Sequence, residues 1–159
     1  MNKTVLQIIV FLGIHFPSFG QNNIEPKNLD SVIEVTKTNS NDLLGKYLYF
    51  SEDVPSHYDI NDAQKLSFQR SEKNILNLGF NNKSVWNRFT IRNTSDTIIK
   101  RILRIEKPLQ DSIQLFYKKN NTWIVSNTGY MVNTKDKDIN GASLYFPLKF
   151  EPNSEQVYY

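Results

Sequence analysis

From Ser143 to Phe150 the chain reads Ser-Leu-Tyr-Phe-Pro-Leu-Lys-Phe, with Leu144, Phe146, Leu148 and Phe150 on every second position. A strand of this period turns all four large apolar side chains to one face, and that face has to be covered by a second layer. Pro147 removes one backbone donor, so the strand belongs at a sheet edge or carries a bulge there. A second strand is expected from Val85 to Arg92. Val85, Phe89 and Ile91 share one of its faces, while Trp86, Arg88, Thr90 and Arg92 share the other.

Further strands are expected at 44–50, 74–78, 98–105, 112–117 and 122–125, and again from Gln156, with Val32–Val35 as an edge strand. The run 98–105 is apolar on both sides of its alternation, which predicts a central strand covered on both faces. Lys118-Lys119-Asn120-Asn121 connects the strands at 112–117 and 122–125, which together read as a hairpin. Asn61 with Gln64 three residues on has the form of a capping box, so a turn or two of helix is expected through about Leu66. Residues 51–59 and 129–141 read as loops. Many short strands at regular intervals and little helix predict an all-β protein, an antiparallel β-sandwich with one short helix.

The 159 residues suit one domain with a leader. Lys3, the apolar run 5–16 and Ser18-Phe19-Gly20 have the layout of an export signal over residues 1–20, too short for a membrane span. Residues 21–42 read as a flexible lead-in, and 43–159 as the folded domain. Its last strand is interrupted at Tyr159, so a longer protein is expected. The formal charge of +3 is scattered, with no basic run interleaved with aromatics, so nucleic acid is not an expected partner. Without cysteine there is neither a disulfide nor a thiolate metal site. No nucleophile elbow, phosphate-cradling glycine loop or paired-histidine zinc motif occurs, and no catalytic role is expected. Glu52, Asp53, Asp59 and Asp62 supply oxygen ligands of the kind calcium prefers, but the EF-hand spacing is absent. Loop solvation and helix capping account for them, and no cofactor is expected.

The leading candidate site is the pair Trp86 and Arg88. An indole face stacks on the apolar side of a sugar ring, and a guanidinium makes paired hydrogen bonds to vicinal hydroxyls or a carboxylate. Arg92 and Arg104 are expected to widen this polar surface on the same sheet. In the alternative, Trp86 closes one end of the sandwich and Arg88 pairs internally with Glu106 or Asp111, a reading favoured by the general bias of large aromatics towards burial. Asn93 reads as a turn former capping its own loop, and Trp123 as a packing residue.

From Leu44 to Tyr159 the order of motifs resembles the periplasmic sensor domain, extracellular region 2, of bacterial seven-transmembrane receptors with diverse intracellular signalling modules. The matching pieces include Gly45-Lys46-Tyr47-Leu48-Tyr49, Asp59-Ile60-Asn61-Asp62-Ala63, Leu78-Gly79-Phe80 and, above all, Val85-Trp86-Asn87-Arg88-Phe89-Thr90-Ile91-Arg92-Asn93. Asp111 to Phe116, Trp123, Gly129, Tyr145 to Leu148 and Pro152 to Tyr159 follow in the family's order. The resemblance implies a jelly-roll sandwich similar to carbohydrate-binding modules, located in the periplasm. It also implies the role of ligand-sensing input domain, tethered through a membrane-helix bundle to a cytoplasmic kinase or cyclase. The implied partners are a small-molecule or glycan ligand and the receptor's own membrane region, with a homodimer as a further expectation. Before the Phe-Pro-Leu strand the family often carries Arg-Pro and other basic residues. Here Lys137-Asp138-Ile139-Asn140-Gly141-Ala142 stands in their place, so a ligand shared with relatives does not follow. Two other classes fit the same residues: a secreted carbohydrate-binding or adhesion module without signalling, and a structural spacer or dimerisation domain.

Overall fold

A computed structural model describes residues 4–8, 31–38, 43–78, 83–106, 110–139 and 144–159. It is an all-β sandwich. One sheet has three strands, β1 (Thr4–Ile8), β6 (Ile99–Ile105) and β9 (Leu144–Phe150), with β6 in the middle. The other has seven: β2 (Val32–Val35), β3 (Tyr49–Val54), β4 (Gln69–Arg70), β5 (Ser84–Asn93), β7 (Ile113–Lys119), β8 (Thr122–Thr128) and β10 (Ser154–Tyr158). Their order is β4-β3-β5-β10-β7-β8, and β2 runs parallel along the far end of the β5 edge that β3 also uses. From β5 onward the chain changes sheet at β5–β6, β6–β7, β8–β9 and β9–β10, the repeated crossing of a jelly roll. Apart from β1 with β6 and β2 with β5, the paired strands are antiparallel.

The alternations place the core as expected. Leu144, Phe146, Leu148 and Phe150 are buried, β9 is an edge strand, and Pro147 faces outward opposite Ile102. From the facing sheet Phe89 and Ile91 enter the same core, with Leu115 and Tyr158. Tyr158 stacks on Phe89 across the β5–β10 pair with ring centroids 5.2 Å apart, and meets Phe150 of the other sheet edge-on at 6.3 Å. Burial, and secondly Tyr117, raises its hydroxyl pKa above the ordinary tyrosine value.

Several elements differ from the sequence reading. Instead of a strand from Leu44, residues Gly45–Tyr47 form a 3₁₀ turn, because Gly45 packs directly on the 74–78 segment. Its N–H donates to the Asn74 carbonyl at 3.1 Å, and a Cβ would lie 2.1 Å from that oxygen. Residues 74–78 accordingly form no strand, and β3 starts at Tyr49 and runs into the expected loop. The helix α1 (Ile60–Ala63) is capped two residues earlier than expected. The Asp59 side chain accepts from the backbone N–H groups of Asn61 (2.7 Å) and Asp62 (3.1 Å), and Asp62 reaches back to the Asp59 N–H. Strand β6 is central in its sheet, but only one face is fully covered: Ile99, Arg101 and Leu103 are buried, whereas Lys100 is exposed and Ile102 and Arg104 are half-buried. The β7–β8 hairpin turns at Asn120 and Asn121, both at positive φ (49° and 62°), as a two-residue type I′ turn requires.

Asn93 does more than cap its own loop. Its fully buried amide nitrogen donates to the carbonyls of Thr97 and Glu151, both at 2.8 Å, while its oxygen accepts from the Ser95 N–H and hydroxyl. It thereby joins the β5–β6 turn to the β9–β10 turn. Arg101, buried on the inner face of β6, donates to the Thr36 carbonyl just beyond β2 and so ties the small sheet to the large one.

Of the predicted export signal, residues 4–8 appear as β1, and the remainder lies outside the described residues. So does most of the lead-in. No helix among the described residues is long and apolar enough to cross a membrane.

Two outcomes are expected. Asn93→Ala removes the side-chain hydrogen bonds that join the two turns and destabilises the fold by about 2–4 kcal/mol in denaturant unfolding. Neutral Tyr158 contributes its full stability below the unfolded tyrosine pKa, roughly 10. That contribution falls as pH rises from there towards the raised native value. Tyr158→Phe, unfolded alongside the parent across this range, loses less stability on alkalinisation.

Candidate functional site

The outer face of the seven-stranded sheet carries an aromatic surface assembled from distant parts of the chain. Along β5 the buried positions are Phe89, Ile91 and Asn93, so Trp86, Arg88, Thr90 and Arg92 point away from the core. Register then decides their neighbours. Tyr49 lies opposite Arg88 and Ser51 opposite Trp86. Phe116 and Tyr159 exchange two backbone hydrogen bonds, at 2.9 and 3.0 Å, which sets both side chains in the Arg88 row. Lys118 pairs with Trp123 across the β7–β8 hairpin. The turn after α1 delivers Phe68, held in place where β4 pairs with β3 and Arg70 Nε donates to the Lys46 carbonyl at 3.2 Å.

These side chains touch in sequence across the sheet. The Arg88 guanidinium carbon lies 4.8 Å from the Phe68 ring centre and 5.5 Å from that of Tyr49. Phe68 meets Tyr159 edge-on at 6.1 Å, and Tyr159 meets Trp123 edge-on at 5.9 Å. The Lys118 ammonium sits 4.9 Å over the Trp123 ring. Beside this line, the Trp86 and Phe116 rings lie 5.6 Å apart between centroids and are tilted by 30°. Trp86 and Arg88 are both half-buried.

The four arginine and tryptophan positions expected at the site do not share one environment. Trp86 and Arg88 are neighbours on the same face, and the Arg88 side chain has no hydrogen bond or ion pair among the described residues. The internal pairing with Glu106 or Asp111 is not formed. Arg92 lies on the same face but is engaged at its Nη2 and Nε by Glu155 Oε2, at 2.7 and 2.8 Å, with Glu34 at 3.9 Å. Arg104 is not on this sheet. It follows the β5–β6 crossing onto the three-stranded sheet, where its Nη2 meets Glu106 Oε1 at 3.1 Å. Trp123, expected as a packing residue, stands half-buried in the outer aromatic line, edge-on to Tyr159.

Phe68, Phe116, Tyr159 and Lys118 did not figure among the expected site residues. For Phe116 a signal existed: it shares the polar side of the 112–117 alternation with Gln114, and an aromatic on a solvent-facing row has no core to serve. Phe68 carries no comparable periodic signal. Of the acidic residues considered for calcium, Asp59 and Asp62 cap α1. The Asp59 carboxyl is held below the ordinary carboxylate range by the backbone N–H of Asp62 and then that of Asn61. Among the described residues no three His, Cys, Asp or Glu side chains are grouped so as to hold a metal ion.

The arrangement is suited to binding. Flat aromatic faces contact the C–H surfaces of a ring, and a guanidinium supplies a planar fork of donors beside them. No curated protein and no solved structure matches the chain. The family model described as 7TMR-DISM extracellular 2 matches residues 45–159, which include every residue of the aromatic face. The chain therefore belongs to the family of extracellular domains of seven-transmembrane receptors with diverse intracellular signalling modules.

Proposed function

We propose that this domain is the extracytoplasmic ligand-sensing input of a bacterial membrane signalling receptor, and that a carbohydrate-like or carboxylated small ligand binds on the Trp86 and Arg88 face. Membership of a receptor extracellular-domain family supports the first half. The second rests on Arg88, whose guanidinium stacks on two aromatic rings, stands next to the Trp86 platform, and has no acidic partner among the described residues. An arginine held this way is oriented for a ligand before the ligand arrives, which lowers the ordering cost of binding. The export layout of residues 1–20 supports a periplasmic location, with the receptor's membrane region as tether; removal of this segment takes β1 away and leaves β6 and β9 as the small sheet. A signal is transmitted only if the ligand prefers one of two arrangements of that region.

Titration of the purified protein against a panel of glycans and carboxylated metabolites, followed by tryptophan fluorescence and melting temperature, tests the site. Saturable binding is expected, weakened roughly 10- to 100-fold by Arg88→Ala, in line with the loss of charge-assisted hydrogen bonds. The fold survives this change. Trp86→Ala weakens binding too, and because the indole is only half-buried it costs less than the ~3–5 kcal/mol of a core tryptophan. If the panel is silent, the ligand reading fails and the spacer or dimerisation role gains. For the receptor role the decisive observation is the coding sequence beyond Tyr159: apolar spans are expected there, and a stop codon at that point contradicts the assignment.

A further inference from the structure

Building on the ligand-binding reading of this face, we infer that its ligand is an acidic saccharide, a sugar of the uronate type. In this pose the ring lies on Trp86 and Phe116 and the carboxylate is gripped by Arg88. Charge balance carries the argument. The outward-facing Arg92 is matched by Glu155 and Glu34, and Arg104 on the other sheet by Glu106. Arg88 and Lys118, the two cations that lie on aromatic rings of the face, have no such partner among the described residues. A neutral sugar would leave both uncompensated on binding, and a half-buried guanidinium covered by a neutral ligand loses hydration without gaining a counter-charge.

Geometry selects the carboxylate over other anions and places it. Phe68 and Tyr49 hold the guanidinium by ring contact, which leaves its in-plane N–H edges unused. Those edges present the parallel pair of donors that a planar carboxylate accepts bidentately. Trp86 and Arg88 are next-but-one residues on one face of a strand, so their Cα atoms stand roughly 7 Å apart. That separation suits the reach from the centre of a stacked pyranose, through its exocyclic carboxylate, to a guanidinium. Phe116, tilted by 30° against Trp86 with ring centroids 5.6 Å apart, adds aromatic surface beside the indole.

The test uses the purified protein with four probes: trigalacturonate, its methyl ester, galactotriose and succinate. The expected result is that trigalacturonate binds at least about tenfold tighter than its ester, as loss of a charge-assisted pair implies. Its affinity should fall with added salt, and the preference should vanish in Arg88→Gln while Trp86→Ala weakens acid and ester alike. Arg88→Lys, which keeps the charge but not the fork, is expected to retain part of the preference, and it replaces Arg88→Gln if that variant melts too early to assay. Equal binding of acid and ester, binding of succinate without trigalacturonate, or a preference that survives Arg88→Gln overturns the acidic-saccharide inference while leaving a ligand site on this face. Silence from all four probes overturns the inference, and silence from the wider glycan and metabolite panel overturns the site itself.

Discussion

Asn93 is a polar side chain with no exposure, and its amide holds two turns that belong to different sheet crossings. On one side of it β5 leaves the large sheet for the small one. On the other, β9 leaves the small sheet and returns as β10 beside β5. A buried amide in a low-dielectric interior is costly when unsatisfied and rigid when satisfied, so these bonds fix where β10 begins relative to the end of β5. Ser154 then falls opposite Asn93, and Tyr158 opposite Phe89. A slip of one residue would exchange Tyr158 and Tyr159 between core and surface. The stacking of Tyr158 in the core and the place of Tyr159 in the outer aromatic line thus both depend on this one side chain.

The aromatic face illustrates how the outer side of a sheet acquires order of its own from contacts between its side chains. Each ring is held by edge contacts with the next, and the two cations cap rings instead of pairing with carboxylates. Individually such contacts are worth about 0.5–1.5 kcal/mol. Their number restricts rotamers that would otherwise be free on a solvent-exposed sheet. At the opposite end of β5 the Arg92–Glu155–Glu34 cluster closes the face with ordinary surface ion pairs of small energetic weight.

Much of the fold was legible because period-2 alternation over a one-sided core is a strong constraint. β9, β5 and the β7–β8 hairpin follow from it directly, and Val32–Val35 forms the edge strand that its short alternation predicts. What escaped is governed by contacts distant in sequence. Nothing near Gly45 announces that the Asn74 carbonyl will pass within reach of its N–H, and that approach turns an apparent strand into a 3₁₀ turn. The helix cap was displaced by two residues because Asp59 and Asp62 satisfy the box as well as the expected Asn61 and Gln64, and a carboxylate at the N-cap gains from the terminal N–H groups. For the site, the shared face of Trp86 and Arg88 was readable from their spacing. Arg104 was assigned to the same sheet because alternation fixes the face of a residue within its own strand but says nothing of which sheet the strand joins.

The residues that meet at the aromatic face run from Tyr49 to Tyr159, and the contacts between them cross five strands and a loop. Such long-range pairings close late, because the chain must lose loop entropy before any of them is rewarded. The face is therefore a property of the finished topology alone. A nascent, nicked or misregistered chain presents Trp86 and Arg88 as separate side chains, without the ring contacts that hold them in the completed fold.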